Sequence, residues 1–150
     1  LSFEKIAALE LTEFKRVVVI DNDVVAWKNF DDALLVAGPA AVFHPTNRKT
    51  SGVVTGFMIL EPSMSEHRRA LNHLRRKLNY SMPRFDGGDE EFWSSFYPLW
   101  NEIPIAFHAR FRMGYPPHLW NEARLFHAIS NFMGDSAQLP RHLRSTLRYF

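Results

Sequence analysis

Two aspartates separated by a single residue, Asp21 and Asp23, are the side chains of this sequence best suited to chemistry. They follow the run 16–20, which is continuous and β-branched, as buried parallel strands are. Side chains at i and i+2 of an extended chain point the same way, so the two carboxylates should converge. Hard divalent cations prefer oxygen ligands. The motif therefore predicts a metal site at a strand end, where α/β sheets bind ligands, with a solvated turn as the alternative.

A second group of polar residues surrounds a pair of glycines. Gly87 and Gly88 lie between Asp86 and Asp89. Glycines let the backbone approach a ligand closely, and the start of a helix offers free N–H groups. Carboxylates accept hydrogen bonds from hydroxyls, so this segment is a candidate sugar site. The alternative is a helix N-terminus with acidic residues, which are favoured at that end without any ligand.

One histidine and one basic segment complete the candidates. His127 ends an apolar stretch and could bind a metal, because imidazole is a common ligand; the alternative is a hydrogen-bonded core histidine. The arginines and lysine of residues 68–77 are typical of the solvated face of an amphipathic helix. We therefore predict no nucleic-acid partner.

The composition limits the class of protein. The chain has 150 residues and 46% hydrophobic content, which is enough for a globular domain with a core. Cys is absent, which excludes disulfides, thiolate zinc sites and thiol catalysis. The near-apolar run 33–43 is too short to span a bilayer, so no transmembrane segment is predicted.

Helical and strand patterns alternate along the chain, which predicts one α/β domain over residues 1–150 with a mixed sheet. Helices are expected at 65–79, with Leu71, Leu74 and Leu78 on its apolar face, and from residue 88 or 89 onward. Strands are expected at residues 16–20, 40–43, 53–60, 103–107 and 124–129.

Several of these motifs, in order and spacing, resemble the glycogenin-like family 8 glycosyltransferases. The similar segments are residues 18–25 with the Asp-x-Asp motif, 55–63, 86–90 with Asp-Gly-Gly-Asp-Glu, and 103–108. His127 falls where that family has its C-terminal metal-binding histidine. The similarity covers roughly residues 2–130.

The resemblance implies a GT-A fold, which is a Rossmann-like nucleotide-diphospho-sugar transferase fold. By this resemblance the chain is the C-terminal two-thirds of the family domain and is incomplete at its N-terminus. The implied activity is Mn²⁺-dependent transfer of a hexose from a UDP-sugar, with retention, to a sugar, glycan, lipid or protein acceptor.

The resemblance also implies roles for individual residues. Asp21, Asp23 and His127 would hold the metal, and Asp89 and Glu90 would lie at the reacting carbon. The donor sugar would contact Asp86, Gly87, Gly88, Thr55, Gly56 and His108.

The sequence departs from the family pattern at Val54, Glu90, Glu91, His108, Ser130 and Met133. The family has an asparagine at the position of Val54 and a phosphate-binding lysine at that of Met133, and the loss of these polar groups predicts weak donor binding. Two other functions stay open at this point: a transferase-fold interaction module without catalysis, and a haloacid-dehalogenase-type phosphatase with Asp21 as nucleophile and Asp23 as acid/base. A homodimer and a cytoplasmic or Golgi location are also left open by the sequence.

Overall fold

The structure of the chain is a computed structural model, and it describes residues 3–43, 52–79, 88–110 and 116–127. In chain order its strands are β1 (Val17–Ile20), β2 (Val24–Ala26), β3 (Ala40–Phe43), β4 (Val53–Leu60), β5 (Asn101–Glu102), β6 (Ala109–Arg110) and β7 (Leu125–His127). Its α-helices are α1 (Met64–Asn79), α2 (Asp89–Phe96) and α3 (Pro117–Glu122). Short 3-10 helices form at Glu4–Glu10, Asp31–Leu35 and Ile105–Phe107.

The chain divides into two compact units. The larger unit comprises Leu1–Ile20 and Asp31–Ile103, and the smaller unit comprises Asp21–Phe30 and Pro104–Phe150. Each unit contains one sheet with both parallel and antiparallel pairs, so the predicted mixed α/β class is confirmed. The assignment of residues 1–150 to one domain stays a prediction.

The sheet of the larger unit has the order β1-β4-β3-β5. All eight residues of β4 are buried, because the strand has neighbours on both edges and apolar side chains on both faces. Met58 and Leu60 of β4 pack in a core with Ile6, Ala70 and the aromatic residues of α2. The rings of Phe92 and Phe96 stack with centroids 5.8 Å apart, so the aromatic segment is core, as its helical spacing predicts.

The first strand differs from its prediction as a buried parallel strand. β1 pairs antiparallel with β4, and Ile20 at its end is 36% exposed. Val17 and Val19 pack against the core. The continuous apolar run therefore reflects the strand preference of β-branched residues together with burial on one face.

Two other predictions are corrected by the structure. Residues 103–107 do not form a strand: Pro104, which lacks an N–H for a sheet ladder, is followed by the 3-10 helix Ile105–Phe107. On α1, Leu71 and Leu74 pack against the core, whereas Leu78, near the C-terminal end of the helix, is 61% exposed. Within the described ranges, no helix combines the length and apolar character needed to cross a bilayer.

The sheet of the smaller unit has the order β2-β7-β6, with β2 antiparallel and β6 parallel to β7. Phe126 in the central strand is fully buried and contacts the rings of Trp27 and Trp120, with centroids 6.2 Å and 6.1 Å away. The backbone N–H of Arg124 donates to the carbonyl of Ala106 at 2.7 Å. These contacts fix β7, whose last residue is His127.

Candidate metal centre and carboxylate network

Three side chains with metal-ligating atoms meet in the smaller unit. One carboxylate oxygen each from Asp21 and Asp23 and one ring nitrogen of His127 all lie within 4.8 Å of one another. The Nε2 atom of His127 is 3.0 Å from Oδ1 of Asp23. His127 is buried, with 7% of its surface exposed, whereas Asp23 is exposed. The structure thus brings together the three residues that the sequence proposes as metal ligands.

The local backbone explains this meeting, and it differs from the extended conformation expected from the sequence. The N–H of Val24 donates to the carbonyl of Asp21 at 3.1 Å, so residues 21–24 form a turn. The turn leads directly into β2, where Val24 is paired with His127 of β7. The two aspartates therefore reach the histidine because of a turn and a strand register, and not through the i/i+2 geometry of a strand.

A second histidine contacts the other side of His127. Nε2 of His108 lies 2.9 Å from Nδ1 of His127, and the two rings meet edge to face with centroids 4.8 Å apart. His108 directly precedes β6, which runs parallel to β7 beside it. Only 1% of His108 is exposed, and its direct contact with the donor sugar stays a prediction.

A hydrogen-bonded carboxylate lies in the larger unit. Oδ2 of Asp89, the first residue of α2, accepts hydrogen bonds from Nζ of Lys5 at 2.5 Å and Oγ1 of Thr55 at 2.9 Å. Lys5 also donates to the carbonyl of Thr55 at 3.0 Å. The side chains of Lys5 and Asp89 are 15% and 20% exposed. We call Lys5, Thr55 and Asp89 the carboxylate network.

The pairing between β3 and β4 is irregular next to the carboxylate network. Ala41 of β3 pairs with Met58 of β4, but the next residue, Val42, pairs with Val54. The part of β4 between Val54 and Met58 therefore departs from regular pairing with β3. Thr55 and Gly56 lie in that part of the strand. Such irregularities commonly redirect a side chain. Here the Thr55 hydroxyl reaches the start of α2.

Two further predicted site residues, Gly88 and Glu90, lie at the beginning of α2. Gly88 occupies the N-cap with φ −78° and ψ 150°, an ordinary extended conformation, and Glu90 lies in the first turn. Asp86 and Gly87 lie outside the described residues. That this segment faces the same cavity as Asp21 stays a prediction.

Sequence reasoning did not find Lys5 or the contact between His108 and His127. Lys5 lies 84 residues from its partner Asp89, and a lysine in a short amphipathic segment is usually solvated. His108 and His127 are 19 residues apart and belong to no known ligand spacing. Only the tertiary pairing of the elements reveals either contact.

Comparison with known proteins gives the class of this fold. No family model matches the chain. The sequence is similar to three proteins of Arabidopsis thaliana. Inositol phosphorylceramide glucuronosyltransferase 1 is 30% identical over 96 residues, which cover 64% of this chain and 16% of that protein. Putative UDP-glucuronate:xylan alpha-glucuronosyltransferase 3 is 24% identical over 119 residues, covering 79% of this chain and 17% of that protein. Putative glucuronosyltransferase PGSIP7 is 31% identical over 127 residues, covering 77% of this chain and 24% of that protein.

The chain is also similar in fold to solved structures of a glycosyltransferase. The glycosyltransferase GlyE of Streptococcus pneumoniae TIGR4 matches with a TM-score of 0.64 at 12% identity, over 87% of this chain and 38% of that one. The apo form of GlyE matches with a TM-score of 0.65 at 13% identity, over 87% of this chain and 37% of that one. The fold is therefore that of the GT-A glycosyltransferases. The chain spans less than a quarter of the length of the three curated relatives, at 16%, 17% and 24%.

Proposed function

We propose that this chain carries the metal centre and part of the donor-sugar site of a retaining, Mn²⁺-dependent glycosyltransferase that uses a UDP-sugar. The observation that carries the proposal is the convergence of Asp21, Asp23 and His127 within 4.8 Å. The GT-A fold and the similarity to glucuronosyltransferases support it. A phosphatase of the haloacid dehalogenase type is not pursued, because the fold is that of the GT-A glycosyltransferases.

The three side chains fit a divalent cation by their chemistry. Asp21 and Asp23 offer carboxylate oxygens, which suit Mn²⁺ and Mg²⁺, and His127 adds a neutral nitrogen ligand. When bound, the cation supplies a positive charge that stabilises the negative charge developing on the departing nucleoside diphosphate. The role of the chain is to hold the two carboxylates in a turn and the imidazole on a buried strand, so that their geometry is preorganised.

The carboxylate network would bind the donor sugar. Lys5 and Thr55 fix the position of Asp89 through Oδ2, and a carboxylate has further acceptor sites for sugar hydroxyls. Asp89 and Glu90 are proposed at the reacting carbon, as the family resemblance implies. The glycine-containing segments at Gly56 and at Gly87 and Gly88, with Asp86, complete the proposed sugar site.

The names of the related proteins suggest which donor to test first. All three name a glucuronosyl transfer, and one names UDP-glucuronate as donor. We therefore propose UDP-glucuronate as the donor, with UDP-glucose as the neutral comparison. The acceptors named in those relatives are a sphingolipid and a glycan, so both classes are candidates here.

A non-catalytic interaction module is the second candidate, and Val54 favours it. This residue replaces a family asparagine and is 2% exposed, so it offers no polar side chain to a donor. An interaction module would keep the fold without metal-dependent chemistry.

The test is UDP release from UDP-glucuronate and UDP-glucose, with and without Mn²⁺, by the chain and by its Asp21→Asn/Asp23→Asn variant. We expect slow, Mn²⁺-dependent release that the double substitution abolishes. The matched control is Glu122→Gln, which removes an exposed carboxylate of the same unit and should leave the rate unchanged. Equal rates in the chain and the double variant would contradict the proposal and favour the interaction module.

A further inference from the structure

His127 is held through both nitrogens of its ring. Nε2 lies 3.0 Å from Oδ1 of Asp23, on the side of the metal ligands. Nδ1 lies 2.9 Å from Nε2 of His108, on the opposite side of the ring. The imidazole is thus bounded on one side by a carboxylate and on the other by a second, fully buried imidazole.

The chemistry of imidazole decides how the proton must be placed when a cation is bound. A neutral ring has one N–H and one lone pair. If Nε2 of His127 gives its lone pair to a cation beside Asp23, the proton must be on Nδ1. The partner of Nδ1 is Nε2 of His108, which must then accept the hydrogen bond.

We propose that His108 is a positioning residue for the metal centre: it accepts a hydrogen bond from Nδ1–H of His127 and so aims Nε2 of His127 at the cation. The inference rests on the metal site of the proposed function. It assigns to His108 a role that acts through His127, in place of direct contact with the sugar.

The backbone around His108 supports such a role. Its N–H donates to the carbonyl of Ile105 at 3.0 Å, which closes the 3-10 turn before β6. The next residue, Ala109, pairs with Phe126 of β7, and Arg110 pairs with His127. The hydrogen bond to Ile105 and the pairing of the next two residues with β7 set His108 beside His127.

A purely structural role would predict a different response to substitution. If His108 only fills volume, then any ring of similar size should serve. If the hydrogen bond matters, then an acceptor of similar reach is required. His108→Phe keeps the ring without the acceptor, whereas His108→Gln can place an amide oxygen near the position of Nε2.

The experiment measures Mn²⁺ affinity by calorimetry for the 150-residue chain, His108→Phe and His108→Gln. We expect His108→Phe to weaken binding about 10–100-fold, the range typical of hydrogen-bond partners behind a metal-ligating histidine, and His108→Gln to recover most of that loss. Thermal unfolding without metal, compared among the three proteins, shows that each is folded.

A spectroscopic measurement follows the proton itself. With Zn²⁺ as a diamagnetic probe, nuclear magnetic resonance of the ¹⁵N-labelled rings should show a protected Nδ1–H on His127 in the unaltered chain and in His108→Gln. The same signal should exchange rapidly or vanish in His108→Phe. A protected Nε2–H on Zn²⁺-loaded His127 would overturn the inference, because that nitrogen would then not be the ligand.

The outcomes separate this inference from the proposed function. Metal binding that is unaltered by His108→Phe, or weakened equally by both substitutions, overturns the role of His108 and leaves the transferase proposal standing. Metal binding with the expected dependence on His108, but without UDP release, supports the role of His108 and overturns the transfer reaction. Failure of the unaltered chain to bind Mn²⁺ or Zn²⁺ overturns both.

Discussion

The metal centre and the carboxylate network hold their acidic groups in different ways. In the larger unit, Asp89 meets a lysine of the same chain at 2.5 Å, so the charges of the pair balance. In the smaller unit, Asp21 and Asp23 meet the imidazole of His127, which is neutral in the metal-binding form. In the first arrangement the charges of Lys5 and Asp89 balance without a ligand, whereas the second combines carboxylate and imidazole groups that suit a divalent cation. Among the described residues, metal dependence should therefore reside in the smaller unit.

The largest effect is expected for a double substitution that removes the carboxylates of the metal centre. Asp21→Asn/Asp23→Asn removes both negative charges, and we expect Mn²⁺ affinity to fall by more than about 100-fold, beyond the ~10–100-fold that outer partners of a ligand contribute. Calorimetric titration with Mn²⁺ measures this change. Glu122→Gln is the control, because it removes one carboxylate charge, as each Asp→Asn substitution does. A similar loss of Mn²⁺ affinity in Glu122→Gln would show that only the general negative field of the chain attracts the ion.

The next effect tests whether the carboxylate network is independent of metal. Lys5→Met removes the cation but keeps a long apolar side chain. We expect a loss of about 1–3 kcal/mol in the free energy of unfolding, because the carboxylate of Asp89 loses a charge-assisted hydrogen bond in a partly buried site. Urea unfolding measures the loss, and Mn²⁺ affinity should not change.

A double-substitution cycle tests whether the loss in Lys5→Met comes from its contact with Asp89. In the Asp89→Asn background, Lys5→Met should cost clearly less, since the ion pair is already gone. Equal costs in both backgrounds would mean that Lys5 stabilises the chain through its aliphatic stem and not through Asp89.

A smaller effect is expected from the hydroxyl of the network. Thr55→Val deletes the donor to Asp89 at nearly constant volume, and we expect a loss of about 0.5–1.5 kcal/mol in the free energy of unfolding. Thr55→Ser keeps the hydroxyl and is the matched control. A Ser variant that is less stable than the Val variant would show that the buried methyl group matters more than the hydrogen bond.

The smallest effect concerns pH and lies in the larger unit, at His73. Burial lowers the pKa of His73 below its usual value of 6.5, and the charges of Lys77, Arg76 and Arg69 add to this shift. Below pH 6.5 the unfolded chain therefore binds more protons than the folded one, so stability declines as pH falls from 6.5 through the folded pKa.

His73→Gln should reduce this decline and keep a polar partner for Ser95, which lies 3.0 Å from the ring. Urea unfolding at pH 7.5 and in the window below pH 6.5 gives the comparison. A decline of equal size in the variant would assign the pH dependence to other groups.

The contrast between the two regions also shows what the sequence could predict. Local patterns predicted β4 and α2, since their apolar spacing and flanking glycine and proline residues are local signals. The Asp-x-Asp motif and His127 were proposed as one site from the family resemblance, and the structure brings their side chains together.

The rest depends on information that is not local in the chain. The antiparallel direction of β1 depends on its partner strand, which its own residues do not specify. The contacts of Lys5 and His108 arise only when elements distant in sequence pair, and the β2–β7 register is what brings His127 to the local turn at Asp21. Pattern reasoning cannot identify such partners, because a single lysine or histidine has the same local signature in the core and at the surface.

Calorimetric titration of the chain with UDP, with and without Mn²⁺, is the most direct test of the metal centre. We predict that UDP binds only with Mn²⁺, and that Asp21→Asn/Asp23→Asn abolishes this binding while Glu122→Gln preserves it. UDP binding of equal strength without Mn²⁺, or in the double variant, would contradict the assignment of Asp21, Asp23 and His127 as the metal centre of a glycosyltransferase.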